Sequence, residues 1–153
     1  MIYEFSGLTF RPMTLDDVDA VMLLENEVYQ FPWTDRIFTD CIRVGYDCWL
    51  ALFEETLVAH AVISVAAGES HILNLSVSEK LQGKGIGKQF IQFLLNIARN
   101  KRAQIMMLEV RPSNTRAINC YNSAGFNEIG CRKDYYPAPN GKEDALLFAR
   151  HIS

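Results

Sequence analysis

The chain has 153 residues, a hydrophobic fraction of 49%, a charged fraction of 22% and a formal net charge of −3. That length suits one domain with a single core spanning residues 1–153, and the slightly acidic balance argues against a general nucleic-acid binder, which normally carries a basic face. No apolar run reaches the roughly 18 residues of a membrane span and no basic region followed by an apolar one opens the chain, so no membrane contact is predicted and the expected location is the cytoplasm.

Leu8-Thr9-Phe10-Arg11 reads as a first strand. Thr14 is placed to cap a helix whose first turn carries Asp16 and Asp17, with Val18, Val21, Met22 and Leu24 on its apolar side. Phe31-Pro32-Trp33 breaks that helix, and Thr34 caps a second one running to about Val44. Cys48 to Phe53 and Leu57 to Ala66 read as strands joined at Glu54-Glu55-Thr56 as a hairpin, with His71 to Val77 as the next strand. Ile86, Phe90, Ile91, Leu94, Leu95 and Ala98 recur at helical spacing and define one buried stripe. Ile105 to Val110 is an apolar strand interrupted only by Glu109, and Thr115 to about Ala124 is a further helix stopped at Gly125. Phe126 to Cys131 and Asp144 to His151 are the last strands. The order β-α-α-β-β-β-α-β-α-β-β predicts a mixed α/β (α+β) arrangement, about seven strands in a central sheet flanked by about four helices.

The four cysteines, Cys41, Cys48, Cys120 and Cys131, form no C-x-x-C, and no histidine pair completes a zinc spacing. They read as packing thiols of a reducing compartment, and no metal is predicted. His60 and His71 lie in strands and His151 near the end, where isolated histidines are usually structural.

Gln82-Gly83-Lys84-Gly85-Ile86-Gly87-Lys88 lies between the third strand of the meander and the long amphipathic helix. Glycines let a backbone approach a ligand closely. Amides at a helix start face outward, where the helix dipole favours an anion. Lys84 and Lys88 add positive charge. The expected guest is a phosphate or diphosphate. A Walker A loop is excluded, because Gln82 stands at its first glycine and Gln89 replaces its Ser/Thr. A Rossmann fingerprint is excluded by Lys88 at the third glycine position.

Glu109 in Leu108-Glu109-Val110-Arg111 is a carboxylate in an otherwise apolar strand. Burial would raise its pKa toward the range of a general base. It could equally form a structural pair with Arg111, which shares its strand face, or with Lys84. Tyr121 alone would read as a core tyrosine with a satisfied hydroxyl. Phe31-Pro32-Trp33 could be a buried turn.

Gln82-x-x-Gly85-x-Gly87 resembles the diphosphate loop of the GNAT N-acetyltransferase superfamily, and the element order matches its fold. Asn114-x-x-Ala117-Ile118-x-x-Tyr121-x-x-x-Gly125-Phe126 is similar to the cofactor-side helix of those enzymes. Phe31-Pro32-Trp33, Leu75-Ser76-Val77, Leu108-Glu109-Val110-Arg111, Arg132-Lys133-Asp134-Tyr135-Tyr136-Pro137 and Glu143-Asp144-Ala145 follow in order. Together, almost end to end, they resemble the bacterial ribosomal-protein-alanine N-acetyltransferases. The resemblance implies acetyl-CoA as co-substrate and no metal. It implies transfer to a protein N-terminus, that of a small-subunit ribosomal protein. It places the catalytic pair on Glu109 as base and Tyr121 as acid. Cofactor contacts fall on Leu75, Ser76, Val77, Gln82, Gly83, Lys84, Gly85, Ile86, Gly87, Lys88 and Asn114. Phe31, Trp33, Tyr135 and Tyr136 would flank the acceptor. Two departures stand out: Glu79 where many members have proline, and Gly83 where many have a basic residue. Acetylation of lysine or a small amine on the same scaffold is the rival enzymatic reading, and a non-catalytic acyl-CoA-binding module the non-enzymatic one.

Overall fold

The structure is a computed structural model and describes residues 7–152. Its elements, in chain order, are β1 (Leu8–Pro12), α1 (Val18–Val28), α2 (Asp35–Val44), β2 (Asp47–Phe53), β3 (Thr56–Ala66), β4 (Glu69–Val77), α3 (Ile86–Asn100), β5 (Ile105–Val110), α4 (Thr115–Ser123), β6 (Asn127–Ala138) and β7 (Gly141–His151). The seven strands form one sheet in the order β1-β2-β3-β4-β5-β7-β6. β4 and β5 are parallel, as a helical crossover through α3 requires. β1–β2, β2–β3, β5–β7 and β6–β7 are antiparallel. The mixed seven-stranded sheet and four helices are those expected from the sequence.

Two compact units are distinguished. The first runs through Ser64 and includes Leu73–Phe90; the second comprises Val65–Ile72 and the chain from Ile91 on. In the first, Met13, Val18, Val21, Phe38, Cys41, Cys48, Leu50 and Val62 form a buried cluster, with Trp33 packed against it. The start of α1 is fixed by Asp17, whose carboxylate accepts from the Thr14 N–H (2.8 Å) and from both Nη atoms of Arg11. The Arg11 guanidinium holds the Asp17 carboxyl down at about 2. Thr34 caps α2 by accepting from Ile37 N–H. The β2–β3 hairpin turns on Glu54 (φ +50) and Glu55 (φ +66), two left-handed residues between the paired Phe53 and Thr56. That is the pattern of a type I′ turn, which matches the twist of its strands.

The stripe on α3 is buried as its spacing predicts: Ile86, Phe90, Ile91, Leu94, Leu95 and Ala98 are all essentially inaccessible. In the second unit, β5 alternates, with Met106, Leu108 and Val110 buried and Ile105, Met107 and Glu109 half-buried. The terminal hairpin is longer than its sequence suggests. β6 and β7 continue to Ala138 and from Gly141, past the Cys131 and Asp144 limits read from the sequence. β6 is the last strand of the sheet, so Pro137 lies on an edge, where a missing N–H is tolerated. Its ladder with β7 is interrupted between Arg132 and Tyr136, and Asp134 there has φ +51. Cys41 and Cys48 are buried as expected, and burial pushes the Cys48 thiol up to about 12. Cys131 is exposed rather than packed, with Sγ 3.8 Å from Asp144 Oδ2.

Candidate active site

In the first unit, the glycine loop follows a short 3-10 turn at Glu79–Leu81. Gln82 turns inward and its Nε2 donates to Val77 O at 3.1 Å, which closes the loop onto the end of β4. Gly83 (φ +82) and Gly85 (φ +87) are left-handed. A Cβ on Gly83 would meet nothing within 4 Å, so conformation, not crowding, demands glycine there. α3 begins at Ile86, and the bond from Gln89 N–H to Gly85 O closes its first turn. The preceding amides have no intrahelical acceptor. Lys84 and Lys88 are exposed beside them. Successive outward amides in alternating backbone conformations make an anion-binding concavity, so these residues fit a diphosphate.

On β4 the usual polarity is reversed. Ser70, Ile72, Asn74 and Ser76 are buried, while Leu73, Leu75 and Val77 are half-exposed. Ser76 is 1% exposed and its hydroxyl donates to Glu25. Any ligand contact by Ser76 therefore falls to its main chain. Leu75 O accepts from the Tyr29 hydroxyl at 2.5 Å. Phe31 is exposed, whereas the Trp33 ring packs 5.2 Å from Phe38.

In the second unit, the β4–β5 ladder runs from Glu69↔Ile105 to Ile72↔Leu108. Glu109 is the next residue on β5, with its side chain 11% exposed. Its Oε1 lies 2.5 Å from His71 Nε2, and its Oε2 lies 3.4 Å from Arg132 Nε. Arg111, which shares that strand face, donates to Pro137 O (2.6 Å) and Glu143 Oε1 (3.3 Å), and stacks 4.4 Å from the Tyr136 ring centre. Glu143 also accepts from Ser113 N–H, and these bonds hold its carboxyl below the usual range, the Ser113 bond foremost. Tyr135 is exposed, meets Tyr136 edge-on at 4.9 Å, and lies 5.8 Å from the Arg132 guanidinium.

Asn114 caps α4, its Oδ1 accepting from Ala117 N–H at 3.2 Å. A cofactor contact by this side chain would fall to its amide nitrogen. Tyr121 is 7% exposed and packs on Phe126 with ring centres 5.8 Å apart. The partners of Glu109 could not be read from spacing. His71 looks like an isolated strand histidine because its partner is on a parallel strand 38 residues away. Among the described residues no cluster of His, Cys, Asp or Glu could hold a metal ion. No helix among them is long and apolar enough to cross a membrane.

The family profile described as Acetyltransferase (GNAT) family matches residues 16–126. The chain belongs to the GNAT acetyltransferase family. GNAT acetyltransferases use acetyl-CoA as co-substrate. The chain is 30% identical over 145 residues to the ribosomal protein bS18-alanine N-acetyltransferase of Escherichia coli, covering 95% of this chain and 98% of that one. It is 29% identical to the enzyme of the same description from Haemophilus ducreyi, over 89% and 94% of the two chains. Among solved structures, the ribosomal-protein-S18-alanine N-acetyltransferase of Escherichia coli superposes with a TM-score of 0.88, over 95% of this chain and 94% of that one. Ard1 of Thermoplasma volcanium, 22% identical, shares the fold with a TM-score of 0.86 over 96% and 99%. The GNAT fold expected from the loop and element order is therefore the one this chain adopts.

Proposed function

We propose that this GNAT chain, acting as one domain over residues 1–153, acetylates the N-terminal α-amine of a protein. The acceptor is the N-terminal alanine of a small-subunit ribosomal protein of the bS18 type, in the cytoplasm. The observation that carries this reading is the 30% identity over 145 residues to an enzyme named for that reaction.

Acetyl-CoA, when bound, supplies the acetyl group on a thioester. The amides of Gly83 to Lys88 hold its diphosphate, with Gln82 bracing the loop and Lys84 and Lys88 adding charge. The main chain of Leu75, Ser76 and Val77 and the Asn114 amide orient it further, and preorganised N–H groups stabilise charge that develops on an acyl oxygen. Glu109 takes a proton from the incoming amine, and His71 and Arg132 hold its carboxylate. Tyr121 hydrogen-bonds the departing sulfur and donates a proton to it. A thiolate, whose thiol titrates near 8.5, is a weaker base than tyrosinate, whose phenol titrates near 10, so full transfer is uphill by roughly 2 kcal/mol, and the hydrogen bond itself carries much of the effect. Phe31, Trp33, Tyr135 and Tyr136 flank the acceptor.

The chemistry of the base selects the acceptor. An α-amine with pKa near 8 is roughly a tenth neutral at pH 7, whereas a lysine near 10.4 is neutral only about 0.04% of the time. A carboxylate base suits the former. The test is a kcat/KM panel with Ala-initiated peptides, N-terminally blocked lysine peptides and polyamines. Preference for the first supports the reading, and preference for either of the others overturns it.

A further inference from the structure

α1 carries a carboxylate that the proposed reaction leaves unused. Glu25 is 1% exposed. Its oxygens collect donors from separate parts of the first unit: the Trp33 N–H at 3.0 Å from Oε2, Asn74 Nδ2 at 3.2 Å from each oxygen, and the Ser76 hydroxyl at 2.9 Å from Oε1. His60 on β3 brings Nε2 to 3.5 Å from Oε1, and neither of its ring nitrogens has a hydrogen-bond partner among the described residues. Burial lowers the His60 pKa to about 4, against a smaller upward pull from Asn74, so at pH 7 this imidazole supplies no positive charge. Tyr29, one helical turn beyond Glu25, donates to Leu75 O.

Three consecutive residues of β4, 74 to 76, are thus bonded to side chains of a single helical segment and its end. The same carboxylate also holds the main chain of Trp33. A buried carboxylate satisfied by neutral donors is a weak source of stability, since well-packed apolar groups often serve as well. What it supplies is fixed geometry: donors aimed at one point lock the segments that carry them. Asn74 and Ser76 occupy the buried face of β4, where apolar residues would be the ordinary choice.

We propose that Glu25 is a positioning residue that holds the Phe31–Trp33 connection in fixed register with Asn74–Ser76 of β4. It thereby presents the acceptor-side loop and the thioester-side strand as one preformed surface. This rests on the proposed function, because it takes Phe31 and Trp33 as acceptor contacts and Leu75 to Val77 as cofactor contacts.

The test uses Glu25→Gln, Glu25→Met and Ser76→Ala, measured beside the wild type. Thermal melting shows which variants fold. Steady-state kinetics with an Ala-initiated peptide gives kcat and both KM values, and calorimetric titration with CoA gives an affinity independent of turnover. The expected result for a folded Glu25→Gln or Glu25→Met chain is a peptide KM raised about tenfold and a CoA affinity weakened severalfold, with the pH profile of kcat keeping its wild-type shape. Ser76→Ala, which leaves two donors in place, should move the same constants in the same direction by less. Should both Glu25 variants fail to fold, Ser76→Ala decides. Folded variants with wild-type KM values and CoA affinity would overturn the proposal. A wild-type chain that binds CoA but acetylates no Ala-initiated peptide would sink the proposed function instead, and the CoA titrations would still judge Glu25.

Discussion

His71 Nε2 on β4 and Glu109 Oε1 on β5 meet at 2.5 Å, one residue past the last rung of the parallel ladder that joins the two strands. His71 pairs with Met107, and Glu109 is the next residue on the same face. Arg132 reaches the other oxygen from β6, across β7, where Ala145 and Leu147 lie opposite Arg132 and Glu109. A carboxylate held by a basic side chain on each oxygen has a fixed position.

Replacing Glu109 with Gln removes the proposed base and keeps the shape. We expect kcat/KM for an Ala-initiated peptide to fall on the order of 100-fold at pH 7. The deficit should shrink toward pH 9, where the amine deprotonates unaided. A pH–rate profile for Glu109→Gln that parallels the wild type would show that Glu109 is not the base.

Tyr121→Phe deletes one hydroxyl from a ring already packed on Phe126. The fold should hold, and KM for acetyl-CoA should change little. Turnover should drop on the order of 100-fold, in line with loss of a general acid. Pre-steady-state acetylation measured at saturating acetyl-CoA checks this, and an unaltered rate would remove Tyr121 from the reaction.

His60 makes stability depend on pH. Its folded pKa of about 4 lies below the ordinary value of 6.5, because burial disfavours the charged ring. The unfolded chain binds the extra proton first. Stability from this group is therefore complete above about 6.5 and is lost as pH falls toward 4. The loss is on the order of 3 kcal/mol. Urea melts at pH 7 and pH 4.5 should show the drop in wild type and a smaller one in His60→Gln. Equal drops in the two proteins would contradict it.

Gly85→Ala forces a side chain into a left-handed backbone (φ +87) at the start of α3. The strain costs about 1–2 kcal/mol. If the chain relieves it by moving the loop amides, CoA affinity should fall about tenfold, as read by calorimetry. Undiminished affinity would place the diphosphate elsewhere.

The hairpin at Glu54-Glu55 is a stability reserve. Both residues hold positive φ without being glycine or asparagine. Glu55→Gly should raise stability by about 1 kcal/mol with no effect on turnover. A lower melting temperature would show that these side chains make compensating contacts.

The glycine loop, the α3 stripe and the carboxylate of β5 were legible because each is a local signal: glycines before a helical period, or one charge in an apolar run. Asn74 and Ser76 fall on the buried face of β4 because they bond Glu25, about 50 residues earlier on α1, and no local pattern links them. The bond between His71 and Glu109 depends on a parallel register, and no local pattern carries that. The length of β6 was hidden by Pro137, acceptable only because β6 is an edge strand. Strand spacing lists Arg111 as a neighbour of Glu109 on one face, but not the bonds its guanidinium makes to Glu143 and Pro137 O, which come from the distant terminal hairpin.

The most direct measurement is to incubate a small-subunit ribosomal protein of the bS18 type, bearing a free N-terminal alanine, with this chain and acetyl-CoA, and to locate the product by fragment-ion mass spectrometry. One acetyl group on the α-nitrogen of the alanine is predicted, with Glu109→Gln much slower at pH 7. Acetyl groups on lysine side chains alone, or no acetylation of the ribosomal protein, would contradict it.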